Sequence, residues 1–556
     1  MSIHARRPTL PRRLARDDAA VGPARASGGT RTRLLVGVLL GAGVVVAAAA
    51  AIAFELSGVT VRADGIALAR VHLGALAGTL SDVTVRDAHG AIVPTTVHDG
   101  AIVPRRHVAP GAALTVVARV RRPGFSGWAL GATVSKRLIV RTPSAALRTR
   151  WTTLHEGAPL RVAFAAPVAR IAYGTPGALR HVVLRHPQQV VTLGPRAAAG
   201  SLVLAGAPRT WERLPAPSTV TWFPAGGATV AVASPPPGGR LGPLTPVRVA
   251  FSKPLSALRG ARPAFAGPVA GSWRRADSHT LLFTPSGTGF GLGASVRLTL
   301  PAGVTLAGAA GGSAAAASWT VPPGSTLRLH ELLAQLGYLP LSWTPAAGAQ
   351  AVAAGDGPQL TAAVDPPKGS FAWRWPLPGQ LTSQWSPASA SAITRGALMA
   401  FERDRGLTTD GLPGPAVWSA LFAALRAHQV NKEGYSYVLV HRDSATQTAT
   451  LFHDGKTIVS TPANTGVPAA PTQLGTFPVY LRYDVTTMSG TNPDGTRYRD
   501  PGIRWVSYFN GGDALHAFDR ASFGTPQSVG CVELPEAAAA KIYPYTPIGT
   551  LVQIAP

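Results

Sequence analysis

The chain has 556 residues, 46% apolar and 14% charged, with 52 lysines and arginines against 26 acids. This length predicts several domains, and the net charge of +26 predicts an anionic neighbour such as lipid or wall polymer, or reflects composition alone. The single cysteine excludes internal disulfides and structural zinc clusters, so we expect no metal and no cofactor. No basic–aromatic stripe of the kind that binds single strands is present, so no nucleic-acid partner is expected.

The first 54 residues have the pattern of a membrane anchor. Residues 1–33 form a basic tail with eight arginines and two acids, and residues 34–54 (LLVGVLLGAGVVVAAAAAIAF) are uncharged. About 20 apolar residues in a helix cross the hydrocarbon core, and preceding arginines favour a cytoplasmic N-terminus. We predict a transmembrane helix and a single-pass protein of the cell membrane, with its bulk extracytoplasmic. A cleaved signal peptide is the alternative, since AIA at 51–53 resembles a cleavage site.

Short apolar alternations broken by glycine and proline fill the middle of the chain and predict β-sandwiches. PLRVAFAAPV at 159–168 agrees with PVRVAFSKPL at 246–255 in six of ten positions, an offset that suits one sandwich of about 100 residues. The last of these segments resembles bacterial Ig-like domains. We predict three Ig-like modules that serve as spacers, at 56–142, 143–233 and 234–322.

Three short helices are predicted between residues 326 and 426. TLRLHELLAQLGYLP places its leucines on one helical face, ITRGALMAFERDRG ends at a glycine, and GPAVWSALFAAL begins with proline in its first turn. With the DGLPGP turn, this set resembles the type 1 peptidoglycan-binding module, which implies a wall ligand. Residues 345–384 interrupt the pattern as an insertion. A helical spacer without a ligand is the alternative.

The last segment returns to strands and contains the only cysteine, in the sequence SVGCVELP. A free cysteine is most often a small buried hydrophobe. Here Gly530 precedes Cys531, and His516 lies fifteen positions upstream. A neighbouring imidazole can take the thiol proton and hold a thiolate–imidazolium pair, while the amides of Gly530 and Cys531 can face a developing oxyanion. From the residues alone, a structural and a catalytic cysteine both remain open.

Residues 435–556 resemble the YkuD-type L,D-transpeptidase catalytic domain, a β-rich fold. The family carries a histidine, a spacer and then Ser/Thr-His-Gly-Cys, and His516, Ser528, Gly530 and Cys531 fall at those positions. The upstream segments NTG (464–466) and PTQLGTFPV (471–479) also match. There are two departures, because Val529 stands at the second histidine and Glu533 stands where the family has asparagine or arginine.

The resemblance implies a multidomain, mainly β enzyme that acts on peptidoglycan stem peptides. Cys531 would be the nucleophile, His516 the general base and acid, and the Ala517 carbonyl the group that orients the imidazole. Tyr508 and Ser528 are expected to line the substrate pocket. The expected activity is acyl transfer that cross-links third-position residues or attaches other amines. An L,D-carboxypeptidase and a non-catalytic wall-binding protein are the alternatives, and the sequence makes no prediction of oligomeric state.

Overall fold

The computed structural model describes residues 45, 47–197, 199–258, 262–307 and 315–556. The basic tail predicted at 1–33 and most of the transmembrane helix predicted at 34–54 lie outside these residues. Residues 47–56 are helical, and apolar side chains such as Ile52 and Phe54 are exposed there. Within the described ranges, no helix is both long and apolar enough to cross a membrane.

The first β module is a two-sheet sandwich whose strands and helix lie between residues 59 and 141. One sheet has the order β1-β2-β5-β4 and the other β3-β6-β7, and alternate side chains from both form a common apolar core. Its elements are β1 (Val59–Ala63), β2 (Ala69–Leu73), β3 (Thr79–Arg86), β4 (Thr95–His98), β5 (Ala101–Pro104), β6 (Ala113–Arg121), a helix (Gly124–Leu130) and β7 (Thr133–Arg141).

The second module differs from the predicted pair of facing sheets, because its strands form one five-stranded sheet. The order is β10-β9-β11-β12-β8. Register shifts at Val183, Gln188 and Val190 interrupt the β9–β10 pairing, and such bulges bend a sheet, so that side chains from one sheet enclose the core. The strands are β8 (Trp151–Leu154), β9 (Pro159–Thr175), β10 (Ala178–Pro195), β11 (Gly200–Ala207) and β12 (Ser218–Pro224).

The third module is again a two-sheet sandwich around one core. Its sheets have the orders β16-β17-β14-β13-β19 and β15-β18-β20. The first strand begins at Thr229, so this module starts earlier than the predicted boundary at 234. Its strands are β13 (Thr229–Ser234), β14 (Val247–Phe251), β15 (Ala264–Phe265), β16 (Gly271–Asp277), β17 (Thr280–Pro285), β18 (Ser295–Thr299), β19 (Val304–Leu306) and β20 (Ala316–Thr320), with a 3₁₀ turn at Leu255–Leu258.

The helical module contains the three expected helices, Thr326–Gln335, Ala392–Asp404 and Pro415–Arg426. The side chain of Ser325 caps the first helix and that of Ser391 caps the second, as expected for N-cap residues. The predicted insertion contains regular structure: two helices and the second strand of an antiparallel pair lie within it, and the first strand of that pair ends where it begins. These elements are β21 (Leu341–Pro345), a helix (Asp356–Val364), β22 (Gly369–Trp373) and a short helix (Gly379–Thr382).

The C-terminal domain has two sheets, with the orders β25-β24-β23-β31-β26 and β27-β28-β29-β30. The two sheets enclose a common core together with the helix Glu536–Ile542. The strands are β23 (Ser436–His441), β24 (Thr448–His453), β25 (Lys456–Pro462), β26 (Gly475–Pro478), β27 (Leu481–Thr491), β28 (Arg497–Asn510), β29 (Asp513–Ala517), β30 (Val532–Leu534) and β31 (Leu551–Ala555).

The helical module and the C-terminal domain share one apolar core. Tyr437 and Leu551 of the domain belong to the same buried cluster as the leucines of the helices. A Cβ on Gly396 would lie 2.6 Å from the Gly549 carbonyl oxygen, so the two backbones are in direct contact. The predicted boundary at 426–434 therefore joins two parts of one packed unit.

Candidate active site

Two neighbouring parallel strands bring the predicted catalytic residues into one place. His516 lies on β29 opposite Glu533 of β30, and Cys531 directly precedes β30. Side chains alternate between the faces of a strand. Leu515 and Val532 therefore enter the domain core, and His516, Cys531 and Glu533 face the other side, where all three line a cavity of about 350 Å³.

Hydrogen bonds from buried residues fix the loop that carries Cys531. The Ser528 hydroxyl donates to the Cys531 carbonyl oxygen at 2.5 Å. Asn464 and Glu533 exchange both of their backbone hydrogen bonds, at 3.0 and 2.9 Å, and the Thr465 carbonyl accepts from the Ser528 amide at 3.0 Å. The NTG segment (464–466) therefore hydrogen bonds to the residues on both sides of Cys531 and fixes the loop. Ser528, which was predicted to line the substrate pocket, lines this cavity, and its hydroxyl hydrogen bonds within the loop.

The surroundings of Cys531 favour a protonated thiol. Burial is the main cause that raises the pKa of Cys531 to about 12, and the charges of Asp513 and Glu533 act in the same direction. The Ala514 amide hydrogen bonds to the sulfur and lowers the pKa, but burial outweighs it. The thiol donates to the Gly512 carbonyl oxygen, 3.7 Å from Sγ.

The resting imidazole is neutral. His516 is 3% exposed, and this burial lowers its pKa below the ordinary 6.5. Its Nδ1 donates to the Ala517 carbonyl oxygen at 3.0 Å, which leaves Nε2 as the basic nitrogen. The sequence allowed a thiolate–imidazolium pair, whereas the electrostatics of this site favour a neutral thiol and a neutral imidazole.

Glu533 has a dedicated partner in Arg520. The guanidinium donates from Nε to Oε2 at 2.8 Å and from Nη2 to Oε1 at 2.7 Å, the bidentate geometry that makes such pairs strong. Arg520 also donates to the Gln527 carbonyl oxygen at 3.2 Å. The acid that departs from the family pattern is therefore paired, and its partner braces the segment that precedes the cysteine.

Gly530 has a backbone conformation and a neighbour that exclude a side chain. Its φ is +111°, and a Cβ built there would lie 2.4 Å from Oδ1 of Asp513. Among the described residues, the amides of Gly530 and Cys531 donate to no backbone or side-chain acceptor. Two free amides beside the sulfur are what an oxyanion hole requires.

The long hairpin of β27 and β28 supplies the other wall of the cavity. Met488, Asn492 and Tyr498 from this hairpin line it together with Cys531. Tyr508, which the sequence placed in the pocket, instead packs beside Cys531 in a small apolar cluster with Val506 and Ala514. Val529 lies at the cavity rim and is 37% exposed.

Sequence reasoning missed Arg520 and the hairpin residues. A signal for Arg520 was available in the sequence. Glu533 is an acid at a position where the family has asparagine or arginine, so a basic partner is expected, and Arg520 is the only arginine between His516 and Cys531. The hairpin gave no comparable signal, because Met488 and Tyr498 reach the cavity only through the pairing of β27 with β28.

Comparison with known proteins identifies this domain. Residues 436–554 match the family model of YkuD, described as the L,D-transpeptidase catalytic domain. The chain thus carries a YkuD-type L,D-transpeptidase catalytic domain at its C-terminus. No curated protein matches the chain.

Several solved L,D-transpeptidase structures resemble the chain at low overall similarity. One from Mycobacterium smegmatis is 16% identical, with 58% of this chain and 97% of that chain covered, at a TM-score of 0.20. The catalytic domain from E. faecium is 26% identical, covering 22% and 100%, at a TM-score of 0.20. A Mycobacterium tuberculosis H37Rv enzyme is 13% identical, covering 58% and 96%, at a TM-score of 0.19.

Proposed function

We propose that the protein is a membrane-anchored L,D-transpeptidase that cross-links peptidoglycan through a cysteine acyl-enzyme. The observation that carries this proposal is the shared cavity of Cys531 and His516 within the YkuD-type domain. The cavity lies open beside a long hairpin, which suits an extended peptide substrate.

In the first half-reaction, substrate binding brings a scissile amide to the sulfur. Nε2 of His516 takes the thiol proton as Sγ attacks the carbonyl carbon that joins the third stem residue to the terminal D-residue. The amides of Gly530 and Cys531 donate to the oxyanion. The imidazolium then protonates the leaving nitrogen, the C–N bond breaks, and a thioester remains on Cys531.

In the second half-reaction, an amine from another stem attacks the thioester carbonyl. His516 accepts a proton from that amine, the C–S bond breaks, and the proton returns to the sulfur. A neutral resting pair suits this sequence, because the imidazole is ready to accept a proton from each nucleophile in turn. Water as the acceptor would give the carboxypeptidase outcome.

The remaining modules suit a protein that spans from membrane to wall. The uncharged segment 34–54 would form the anchor, the β modules would act as spacers, and the helical module would bind peptidoglycan next to the catalytic domain. The core that the helical module shares with that domain supports a fixed orientation of the two.

A covalent trapping experiment tests the proposal. Incubation with a carbapenem should add one acyl group to the intact protein, and peptide mapping should find it on Cys531. Cys531→Ala is the matched control and should gain no mass. A folded wild-type protein whose thiol stays unmodified would favour the non-catalytic wall-binding alternative.

A further inference from the structure

A short helix that joins β6 to β7 presents a cluster of large apolar side chains to solvent. In this tip, Gly124–Leu130, Trp128 is 85% exposed, Phe125 is 64% exposed and Leu130 is 38% exposed. Phe125 and Trp128 are three residues apart, so they share one face of the helix. Single apolar residues on a surface are ordinary, whereas a cluster of this kind marks an interaction site.

Hydrogen bonds hold the tip in one shape. The Arg122 guanidinium donates to the carbonyl oxygen of Leu130 and, at 3.3 Å, to that of Gly131, so a cation satisfies the C-terminal end of the helix. The Arg122 amide donates to Ala132 at 3.0 Å and the Gly127 amide to Pro123 at 2.8 Å. Phe125 and Trp128 are therefore displayed on an ordered turn.

The tip lies at the end of the first module where the N-terminal apolar helix enters. The Leu76 amide donates to the Leu56 carbonyl oxygen at 2.9 Å. Two residues later, a Cβ on Gly78 would lie 2.0 Å from the Arg121 carbonyl oxygen. Leu76 and Gly78 are two residues apart, and two residues span at most about 7 Å. Together with the two contacts, this places the end of the apolar helix, at Leu56, roughly 15 Å or less from the base of the tip, at Arg121.

Two arginines lie at the base of the tip. Arg121 ends β6 and is exposed, and Arg122 follows it directly. Arg119 is partly neutralised by Asp82 at 3.9 Å. An exposed tryptophan beside arginine is a combination that favours the interface of an anionic bilayer.

We propose that the tip inserts Phe125 and Trp128 into the headgroup region of an anionic phospholipid membrane, while Arg121 contacts the phosphates. With the apolar helix, this gives the first module two membrane contacts and fixes its orientation. A second copy of the chain is a poorer occupant, because a stable dimer buries about 800 Å² on each partner, more than a seven-residue tip offers. The proposal does not depend on catalysis.

The single native cysteine allows a site-specific test in the full-length chain. In a Cys531→Ala background, Phe125→Cys and Ile139→Cys are each labelled with an environment-sensitive fluorophore. Both positions are 64% exposed, but Ile139 lies six residues along β7 from Thr133, about 20 Å from the tip. The proteins are reconstituted in vesicles of phosphatidylcholine and phosphatidylglycerol that contain brominated lipid.

The label at 125 should shift to the blue and be quenched by brominated lipid, while the label at 139 should stay accessible to aqueous iodide. Equal iodide access at both positions would overturn the proposal. A blue-shifted label at 125 that depends on protein concentration and not on vesicles would also overturn it, in favour of self-association. Omission of phosphatidylglycerol should reduce quenching at 125; unchanged quenching would overturn the role of Arg121.

Discussion

Removal of Arg520 should destabilise the catalytic strands because it leaves a buried carboxylate without its partner. Glu533 is 5% exposed and Arg520 is 30% exposed, so the carboxylate is buried while water reaches one side of the guanidinium. Loss of one partner from a buried pair costs about 3–5 kcal/mol, whereas exposed pairs contribute about 0.2–1 kcal/mol. Because Arg520 is partly exposed, we expect Arg520→Met to cost somewhat less than the loss of a fully buried partner but more than that of an exposed one, about 2–4 kcal/mol.

Hydrogen exchange of the amides in β29 and β30 measures the loss of stability of these two strands directly. An unfolding curve of the whole multidomain chain would not resolve it. The expected loss of stability corresponds to amide exchange that is about 30- to 1000-fold faster, because each 1.4 kcal/mol changes an equilibrium constant tenfold. Arg520→Met/Glu533→Met should recover most of the protection. The matched control is Arg504→Met, whose pair with Glu536 is exposed on both sides, at 57% and 58%, and it should change exchange little. An effect of Arg520→Met no larger than that of the control would refute the reasoning.

Three further predictions follow from the same contacts. His516→Ala should lower the rate about 10²–10⁴-fold. In the wild type, kcat/KM should rise with pH through a pKa below 6.5, because His516 loses its proton there, and should then stay level, because the thiol pKa is about 12. A fall of kcat/KM near pH 8 would contradict the neutral pair. Gly530→Ala should abolish acylation, because its Cβ would lie 2.4 Å from Asp513. Gly511→Ala also places alanine at a positive φ, +52°, but no atom lies within 4 Å of its Cβ, so it should retain most of the activity. Equal activities would argue against the geometry of the loop. Residues 326–556 carrying Cys531→Ala should sediment with purified sacculi above the level of a control protein, and failure to do so would leave only the spacer interpretation of the helical module.

Sequence patterns predicted elements whose signal is local. The leucine spacing, the glycine that ends the second helix, the proline that begins the third and the DGLPGP turn located the three helices, and the family motif selected Cys531 and His516 as a candidate pair. Local signals did not predict the curled single sheet of the second module, because bulges in the β9–β10 pairing depend on the partner strand. They also gave no indication of the core shared by the helical module and the catalytic domain.

The electrostatics of the site were the least predictable part. The sequence showed that Glu533 is near Cys531 but not that Arg520 binds it in a bidentate pair. It also could not show how far the surrounding residues remove the half-buried thiol and the buried imidazole from water, and this desolvation is the main cause of both pKa shifts. The preference for a neutral pair over the ion pair that the sequence allowed therefore follows from tertiary packing.

Release of the terminal D-amino acid from a tetrapeptide stem, with and without an acceptor amine, tests the central proposal most directly. The wild type should release the D-residue and, with the acceptor, form the cross-linked product. Cys531→Ala should do neither, because the chain has no other thiol, and Cys531→Ser should be nearly inactive. Full release by Cys531→Ala would contradict the proposed mechanism.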